Sequence, residues 1–270
     1  VPEGRRILNA DDPFLVTLGQ AEGPAVTWFT MEPLSGWLND HISEGGEVWT
    51  LEDDWICRYK GSERSAIIAV HDLPAAHKGA ARHNIANALG AAALSQSLGA
   101  SLEAVREGLS SFGAHVDDNP GRCQFIALHG AQIILDFGHN PHGVKAMLSM
   151  AHRLMRERSA GRLWVSVGQA GDRSDQDLSD LAEVIQAAGP DHVSLRDIEG
   201  YERGRAKGEV SQFLSEQLLM LGLGADQITR HEDEVSAMRD ALAWLSPGDL
   251  VVHLVHIQRE AVREVLESRP

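Results

Sequence analysis

The 270-residue chain has only two cysteines, Cys57 and Cys123, and they form no C-x-x-C pair. A disulfide framework is therefore not expected, and two idle thiols are typical of a reducing cytoplasm. Aromatic residues make up 5% of the chain, so no aromatic stripe marks an interface between copies. No apolar run is long enough to span a bilayer, and no cationic, apolar leader follows Val1. We expect a cytoplasmic protein without membrane contact.

Basic residues are few, because 24 Lys and Arg stand against 39 Asp and Glu, for a formal net charge of −15. This charge repels the phosphate backbone, so nucleic acid is not expected as a partner. A small anionic substrate is compatible with it, since local basic clusters remain, such as Arg203, Arg205 and Lys207. The thirteen histidines lack the spacing of a metal site, so no metal cluster is predicted from them.

A phosphate-binding loop is also missing from the sequence. Neither G-x-x-x-x-G-K-[ST] nor G-x-x-G-K-[ST] occurs, and no G-x-G-x-x-G turn is followed by an acidic residue about twenty positions on. The second absence argues against a plain dinucleotide-binding Rossmann domain. The missing phosphate-loop motif means that the sequence lacks the main anchor for β- and γ-phosphates and Mg²⁺.

The hydrophobic pattern predicts an α/β fold in two parts, 1–119 and 120–270, separated by the polar stretch 117–121. The first part combines short strands, including a meander over 47–70, with a buried Ala-rich helix from about 79 to 98 and a second helix from 101 to 112. In the second part, strands and helices alternate, which predicts a mostly parallel sheet covered on both faces. The helices predicted there span 142–158, 175–188, 209–222, 232–245 and 257–267.

The most informative segment is residues 134–143, Ile-Leu-Asp-Phe-Gly-His-Asn-Pro-His-Gly. An apolar strand ends in Asp136, a glycine-bearing turn follows, and His139-Asn140-Pro141 leads into a helix. Backbone N–H groups at a helix start, beside a carboxylate and an imidazole, suit a polyphosphate or a carboxyl substrate.

Other segments are ambiguous when taken alone. Leu8–Pro13 contains N-x-D-D-P, which indicates a turn or a helix cap. The polar group His83, Asn84 and Asn87 opens an apolar helix, so these side chains either cap neighbouring loops or pair with the edges of an adenine ring. Arg122 follows a Pro-Gly turn and is either a surface charge or a phosphate ligand.

In this order, the segments 8–13, 83–87, 119–122 and 134–143 resemble the Mur ligase superfamily of ATP-dependent acid–amino acid ligases, whose signature is D-[YF]-[AG]-H-N-P. The resemblance extends from about residue 5 to about 260. It implies that 1–119 is the C-terminal part of a central ATPase-type domain and that 120–270 is a Rossmann-like C-terminal domain. In the family the phosphate loop and a modified lysine lie upstream, so we expect an upstream domain or a partner chain to complete the site.

The resemblance implies a reaction in which ATP, with Mg²⁺, activates a carboxylate to an acyl phosphate, and an amine then forms the amide. It implies catalytic roles at the closing interface for His139 and Asn140. The nucleotide-binding residues that it implies are His83, Asn84, Asn87, Arg122 and Asp136. Most Mg²⁺ contacts are expected from the missing upstream part.

Two further loops resemble the Mur-like half of cyanophycin synthetases: G-x-x-G-D-R-x-D at 168–175 and R-G-R-x-x-G-E at 203–209. Contact with an amino acid or peptide-like substrate is implied there, and plain solvated surface is the alternative for 201–209. The substrate candidates are Asp172, Arg173, Arg203 and Arg205. The family's Gly-Lys-Gly ending and D-N-P-R signature are absent, which points away from peptidoglycan synthesis.

Two other functions stay open. One is a non-catalytic Mur-like module that binds a nucleotide or a partner; the other is a Rossmann-like binding domain with coincidental motifs. An incomplete central domain should expose sheet edge and apolar surface, so we expect isolated chains to pair or aggregate.

Overall fold

The computed structural model describes residues 4–115, 118–156 and 161–268, and the chain divides into two compact units, Val1–Asp118 and Asn119–Pro270. Both units are α/β, as the sequence predicts. Asp117, the first residue of the predicted boundary stretch, lies outside the described residues. The assignment of the first unit to an ATPase-type domain stays a prediction.

The first unit is a sheet with helices in the connections. Its elements in chain order are β1 (Arg5–Asn9), α1 (Pro13–Gln20), β2 (Ala25–Thr30), α2 (Gly36–Ser43), β3 (Glu47–Glu52), β4 (Trp55–Lys60), β5 (Glu63–Ala69), α3 (Arg82–Ser97) and α4 (Leu102–Ser111). The strands are ordered β1-β2-β3-β4-β5. The first three are parallel, and β3, β4 and β5 form the antiparallel meander that the sequence predicts.

The tight turn between β3 and β4 follows from its residues. Asp53 and Asp54 have φ of 48° and 60°. Two successive left-handed residues match the right-handed twist of a hairpin, and Asp tolerates this conformation better than most side chains. The connection between β3 and β4 is therefore a two-residue hairpin turn.

Helices α1 and α2 are absent from the sequence-based prediction. Asp12 caps α1 by accepting the N–H groups of Phe14 (2.8 Å) and Leu15 (3.3 Å), and Pro13 occupies the first helical position. This start signal was present in the sequence. Each helix has only eight residues, which is too short to display a clear period.

Helix α3 packs under the sheet against β1, β2 and β3. It buries Ile85, Leu89 and neighbouring alanines, whereas Leu94 and Leu98 are 51% and 80% exposed. The predicted burial therefore holds for the face of α3 that covers the sheet, and the other face is exposed at these leucines.

The second unit alternates strand and helix as predicted. Its elements are β6 (Gln124–Leu128), β7 (Ala131–Asp136), α5 (Pro141–Arg156), β8 (Leu163–Gln169), α6 (Asp175–Ala187), β9 (His192–Asp197), α7 (Glu209–Met220), β10 (Ile228–Arg230), α8 (Glu234–Trp244), β11 (Leu250–Leu254) and α9 (Arg259–Glu267). The strand order is β10-β9-β8-β11-β7-β6. All pairs are parallel except the β6–β7 hairpin. Residues 157 and 158, predicted to end α5, lie outside the described residues.

The sheet of the second unit is covered on both faces, so β8 is buried at every position. Helices α8 and α9 pack together over a core that contains Ile133, Trp164, Met238 and Val251. Helices α5, α6 and α7 pack side by side. Because parallel strands all end at one edge, the residues after β7, β8, β9 and β11 gather there.

Candidate functional site

Asp136, the last residue of β7, is 7% exposed and fixes the backbone around it. Its Oδ1 accepts the N–H of Gly138 (2.7 Å) and its Oδ2 accepts the N–H of Cys123 (2.9 Å). Cys123 has a left-handed φ of 51°, so the chain bends sharply there. The predicted nucleotide-binding carboxylate therefore holds the 121–123 turn and the 137–138 turn in place.

His139 and Asn140 stand at the start of α5. Asn140 caps this helix, because its Oδ1 accepts the N–H of Gly143 (2.8 Å), and Pro141 is the first helical residue. The His139 ring is half-buried, and its Nδ1 lies 3.3 Å from the Phe137 carbonyl oxygen. Asn140 thus has a local structural role that explains its place in the motif, while His139 is presented beside the helix start.

A small cleft opens beside these two residues, between the starts of α5 and α6. It is also lined by Gln169 at the end of β8, by Arg173 and by Asp177. Gln169 is 3% exposed, and its Nε2, like the Nε of Arg173, has no hydrogen-bond partner among the described residues. Sequence reasoning missed Gln169; its signal was its place at the end of a buried strand, inside the G-x-x-G-D-R-x-D segment at 168–175.

The Phe137 ring brings together three cationic or titratable side chains. The Arg122 guanidinium lies 5.1 Å from its centroid, and the rings of His139 and His256 lie at 5.4 and 5.3 Å. His256 also donates its Nε2 proton to the Gly138 carbonyl oxygen (3.2 Å). Arg122 itself is exposed, so its guanidinium is accessible to an anion. Sequence reasoning did not assign His256, which follows β11, the strand next to β7.

The structure brings all four predicted substrate residues together in two adjoining loops, 171–175 and 201–209. Most of their side-chain contacts are with the other loop. Arg203 forms an ion pair with Asp172, and this hydrogen bond lowers the pKa of the Asp172 carboxyl. Arg205 donates to the carbonyl oxygens of Gly171 (3.1 Å) and Arg173 (2.9 Å) and pairs with Asp175 (2.5 Å).

Gly171 is required at this crossing of two loops. Its N–H donates to the Tyr201 carbonyl oxygen (2.8 Å). A Cβ at position 171 would lie 1.9 Å from the Glu202 carbonyl oxygen. The 171–175 loop and the 201–209 loop are therefore one packed assembly, in which Arg205 is an internal brace.

In the first unit, the predicted adenine-binding residues lie on the first turns of α3. Asn84 donates its Nδ2 proton to the Ala75 carbonyl oxygen (2.8 Å), which joins α3 to the turn before it. Asn87 is exposed and its Nδ2 lies 3.4 Å from the Asn84 Oδ1. His83 is half-buried. Asn84 thus serves the local fold, and Asn87 presents its amide to solvent.

The N-x-D-D segment is explained by local structure. Asp11 accepts the Thr30 hydroxyl and the Met31 N–H (2.8 Å), which fastens the end of β1 to the end of β2. Asp12 caps α1.

Within 4–115, 118–156 and 161–268, no group of three or more His, Cys, Asp or Glu side chains is placed to hold a metal ion. Over the same ranges, no helix has both the length and the apolar character that crossing a membrane requires.

Residues 121–254, which include β7 and the Asp136–Asn140 turn, match the family described as "Mur ligase, glutamate ligase domain". This part of the chain belongs to the Mur ligase family.

Over nearly its whole length the chain is similar to cyanophycin synthetases. It is 30% identical to that of Crocosphaera subtropica over 250 residues, which cover 93% of this chain and 28% of that protein. It is 28% identical to that of Trichormus variabilis over 97% of this chain and, again, 28% of the relative. The UDP-N-acetylmuramyl-tripeptide synthetase of Deinococcus radiodurans is 26% identical over 98% of this chain and 49% of its own length. The chain thus spans less than half of each of these relatives.

Solved structures share the fold. The murein peptide ligase of Psychrobacter arcticus superposes with a TM-score of 0.60 at 15% identity, over 99% of this chain and 51% of that one. E. coli FolC gives a TM-score of 0.57 at 18% identity, over 90% and 52% of the two chains. Both units of the chain therefore have counterparts in fold within single solved structures.

Proposed function

We propose that the chain is part of an ATP-dependent ligase that joins a carboxylate to an amine. The observation that carries this proposal is the turn after β7, where Asp136 fixes the backbone and presents His139 at the start of α5. This turn lies in the part of the chain that belongs to the Mur ligase family. The names of the relatives, which are synthetases, support it.

Nucleotide and amino acid are the ligands that the similar structures favour. E. coli FolC has been solved with ADP, and a bifunctional folylpolyglutamate synthase/dihydrofolate synthase has been solved with Mn, AMPPNP and L-glutamate. In the proposed reaction a carboxylate oxygen takes the γ-phosphoryl group of ATP and ADP leaves. The amine nitrogen then attacks the acyl carbon, phosphate leaves, and the nitrogen loses a proton. Catalysis rests on positioning and on neutralising phosphate charge.

Within this proposal the residues of the second unit have different tasks. Arg122 offers an accessible guanidinium to phosphate, and His139 offers an imidazole beside the helix start. Asp136 and Asn140 position these groups, because their carboxylate and amide oxygens are occupied by backbone N–H groups. Arg173, which lines the cleft, is the favoured substrate contact among the four candidates.

In the first unit, His83, Asn84 and Asn87 are proposed to hold the adenine ring. The exposed amide of Asn87 fits this task best, since an amide matches the donor and acceptor edge of adenine. The Nδ2 of Asn84 is engaged with Ala75, so Asn84 contributes mainly by supporting its neighbour.

Mg²⁺ does not fit the described residues by themselves. They offer no cluster of carboxylates, and both oxygens of Asp136 accept backbone N–H groups. The Mg²⁺ ligands and the anchor for the β- and γ-phosphates would come from an upstream domain or a partner chain. We propose the cytoplasm as the location of the protein. A second copy of the chain is the other proposed partner.

The test is an assay of ADP formation by the complete product of the reading frame that contains this chain. The assay contains ATP, Mg²⁺, a panel of amino acids, and peptide carboxylates. We expect ADP to form only when a carboxylate and an amine are both present. We expect His139→Ala to lower kcat at least ~10-fold, since a positioned group in contact with developing charge is lost.

The matched control is His142→Ala, which removes an exposed histidine three residues along and should leave kcat within about twofold. ATP binding without turnover for any substrate pair would favour the non-catalytic binding module, which the missing phosphate-loop motif also favours. Equal losses in the two variants would exclude a specific role for His139.

A further inference from the structure

Two charged residues of the second unit are buried away from the motifs. Arg196 on β9 is 0% exposed and Glu234, the first residue of α8, is 2% exposed. Arg196 Nη2 lies 3.7 Å from Glu234 Oε1. Arg196 also donates to the Ser166 Oγ (2.8 Å) and to the Leu254 carbonyl oxygen. Burying a charge pair is costly, and apolar residues of similar volume often serve stability as well. Stability alone therefore does not explain this pair.

The Glu234 carboxylate accepts hydrogen bonds from the backbone segment that follows β11. It accepts the N–H groups of His256 (2.6 Å), Ile257 (3.3 Å) and Gln258 (2.7 Å). In return, Gln258 Oε1 accepts the N–H groups of Glu234 (3.0 Å) and Val235 (3.3 Å). The 255–258 segment belongs to no helix or strand, so this exchange with the start of α8 fixes its path.

The fixed segment reaches the motif turn through His256. Its Nε2 donates to the Gly138 carbonyl oxygen (3.2 Å) and its ring lies 5.3 Å from the Phe137 ring. Val255 N–H donates to the Asp136 carbonyl oxygen (2.7 Å). His256 Nδ1 lies 3.5 Å from Glu234 Oε1, so the carboxylate that accepts the backbone N–H of this residue also lies beside its ring.

We propose that Glu234 is a positioning residue that acts through His256 on the Asp136–Asn140 turn and so sets where His139 is presented. Arg196 balances the charge of Glu234 and ties it to β8, β9 and β11. The inference rests on the proposed function for its catalytic consequence, but the structural coupling does not depend on that function.

The pKa of Glu234 agrees with an ionised carboxylate in this place. Burial raises the pKa of this carboxyl, but the contacts with His256, the charge of Arg196 and the backbone N–H groups outweigh it and lower the pKa to about 2. The carboxylate is therefore charged near neutral pH, where it accepts these hydrogen bonds.

The test is NMR of the ¹⁵N-labelled 270-residue chain. Glu234→Gln keeps the size of the side chain but turns one acceptor into a donor that faces backbone N–H groups. We expect amide exchange at 256–258 to rise at least ~10-fold and the amide signals of Gly138 and His139 to shift. Glu232→Gln, an exposed change of the same charge two residues earlier, should change neither.

A second pair of variants isolates the coupling. His256→Ala should reproduce the shifts at Gly138 and His139, and His256→Gln, which keeps an N–H donor, should largely restore them. This pair decides the matter even where Glu234→Gln fails to fold. Release of 256–258 with unchanged signals at Gly138 and His139 would overturn the proposal.

The ADP assay separates this inference from the proposed function. If the ligase is active, His256→Ala should lower kcat with KM for ATP changed less than about twofold, and His256→Gln should recover kcat. Shifted signals with unaltered kcat would overturn the positioning role and leave the ligase function standing. Absence of any ligase activity would remove the catalytic consequence and leave the measured coupling between Glu234 and the turn intact.

Discussion

At the scale of single residues, a side chain that matches a family motif can also have a structural role in the fold. Asp136 was expected to face a nucleotide, and its two oxygens are taken up by the N–H groups of Gly138 and Cys123. Asn140 likewise caps α5. The sequence pattern marks such positions because they build the turn, and His139 is the residue that this turn presents. A carboxylate beside a helix start can therefore belong to the scaffold of a site.

We predict that Asp136→Asn destabilises the second unit by about 1–3 kcal/mol. The amide retains one acceptor and places an N–H donor opposite a buried backbone N–H, which leaves both donors without partners. Urea denaturation followed by circular dichroism measures this change. Asp226→Asn is the control, since Asp226 is exposed. Equal midpoints for the two variants would mean that the Asp136 hydrogen bonds contribute little.

At the scale of elements, the loops after β8 and β9 form one assembly. Arg205 and the Asp172–Arg203 ion pair join segments that lie about thirty residues apart in the chain. The sequence showed both loops and their charges, but not that the charges face each other. Strand order explains this, because β8 and β9 are neighbours and their carboxyl ends meet at one edge.

We predict that Gly171→Ala forces the two loops apart. The added Cβ would lie 1.9 Å from a backbone oxygen of Glu202, which cannot turn aside as a side chain can. A loss of about 1–3 kcal/mol is expected from such overpacking, with faster amide exchange in both loops. Gly108→Ala is the matched control, because that helical position has open space and alanine favours a helix by about 0.5–1 kcal/mol. A normal stability for Gly171→Ala would show that the loops are not packed together.

At the scale of the whole molecule, charge burial makes stability depend on pH. His253 is 0% exposed, and burial, with the nearby charge of Arg196, lowers its pKa well below 6.5. The unfolded chain takes up a proton as pH falls below about 6.5, whereas folded His253 stays neutral, so stability falls with pH in that range. Burial also lowers the pKa values of His41, His192 and His231 in the same direction.

We predict that His253→Gln flattens this dependence. Between pH 6.5 and 5, the free energy of unfolding should fall less steeply by up to about 1.4 kcal/mol per pH unit, the contribution of one proton. Urea midpoints across this range measure the slope, so a uniform loss of stability does not disturb the result. His142→Gln, at an exposed position, should keep the wild-type slope. Parallel slopes for all three proteins would show that His253 is protonated alike in both states.

The surface of the first unit retains apolar side chains that its own fold does not cover. Phe14 is 87% exposed and Leu98 is 80% exposed. The expectation that isolated chains pair or aggregate stays a prediction. It would be contradicted by a single monomeric species in size-exclusion chromatography at all concentrations.

The sequence by itself determined the alternation of strands and helices, the family and the turn at 134–143, because periodicity, caps and glycine positions are local signals. Helices α1 and α2 were not predicted from the sequence, because eight residues show too little hydrophobic periodicity. Only the tertiary structure showed that Asp136 and Arg205 form internal hydrogen bonds. It also showed that Arg122 and His256 lie against the Phe137 ring, and that Glu234 contacts the segment beside the motif turn. These contacts join residues far apart in the chain. Their formation depends on strand order and burial, which decide whether a charge meets solvent, a ligand or a backbone N–H.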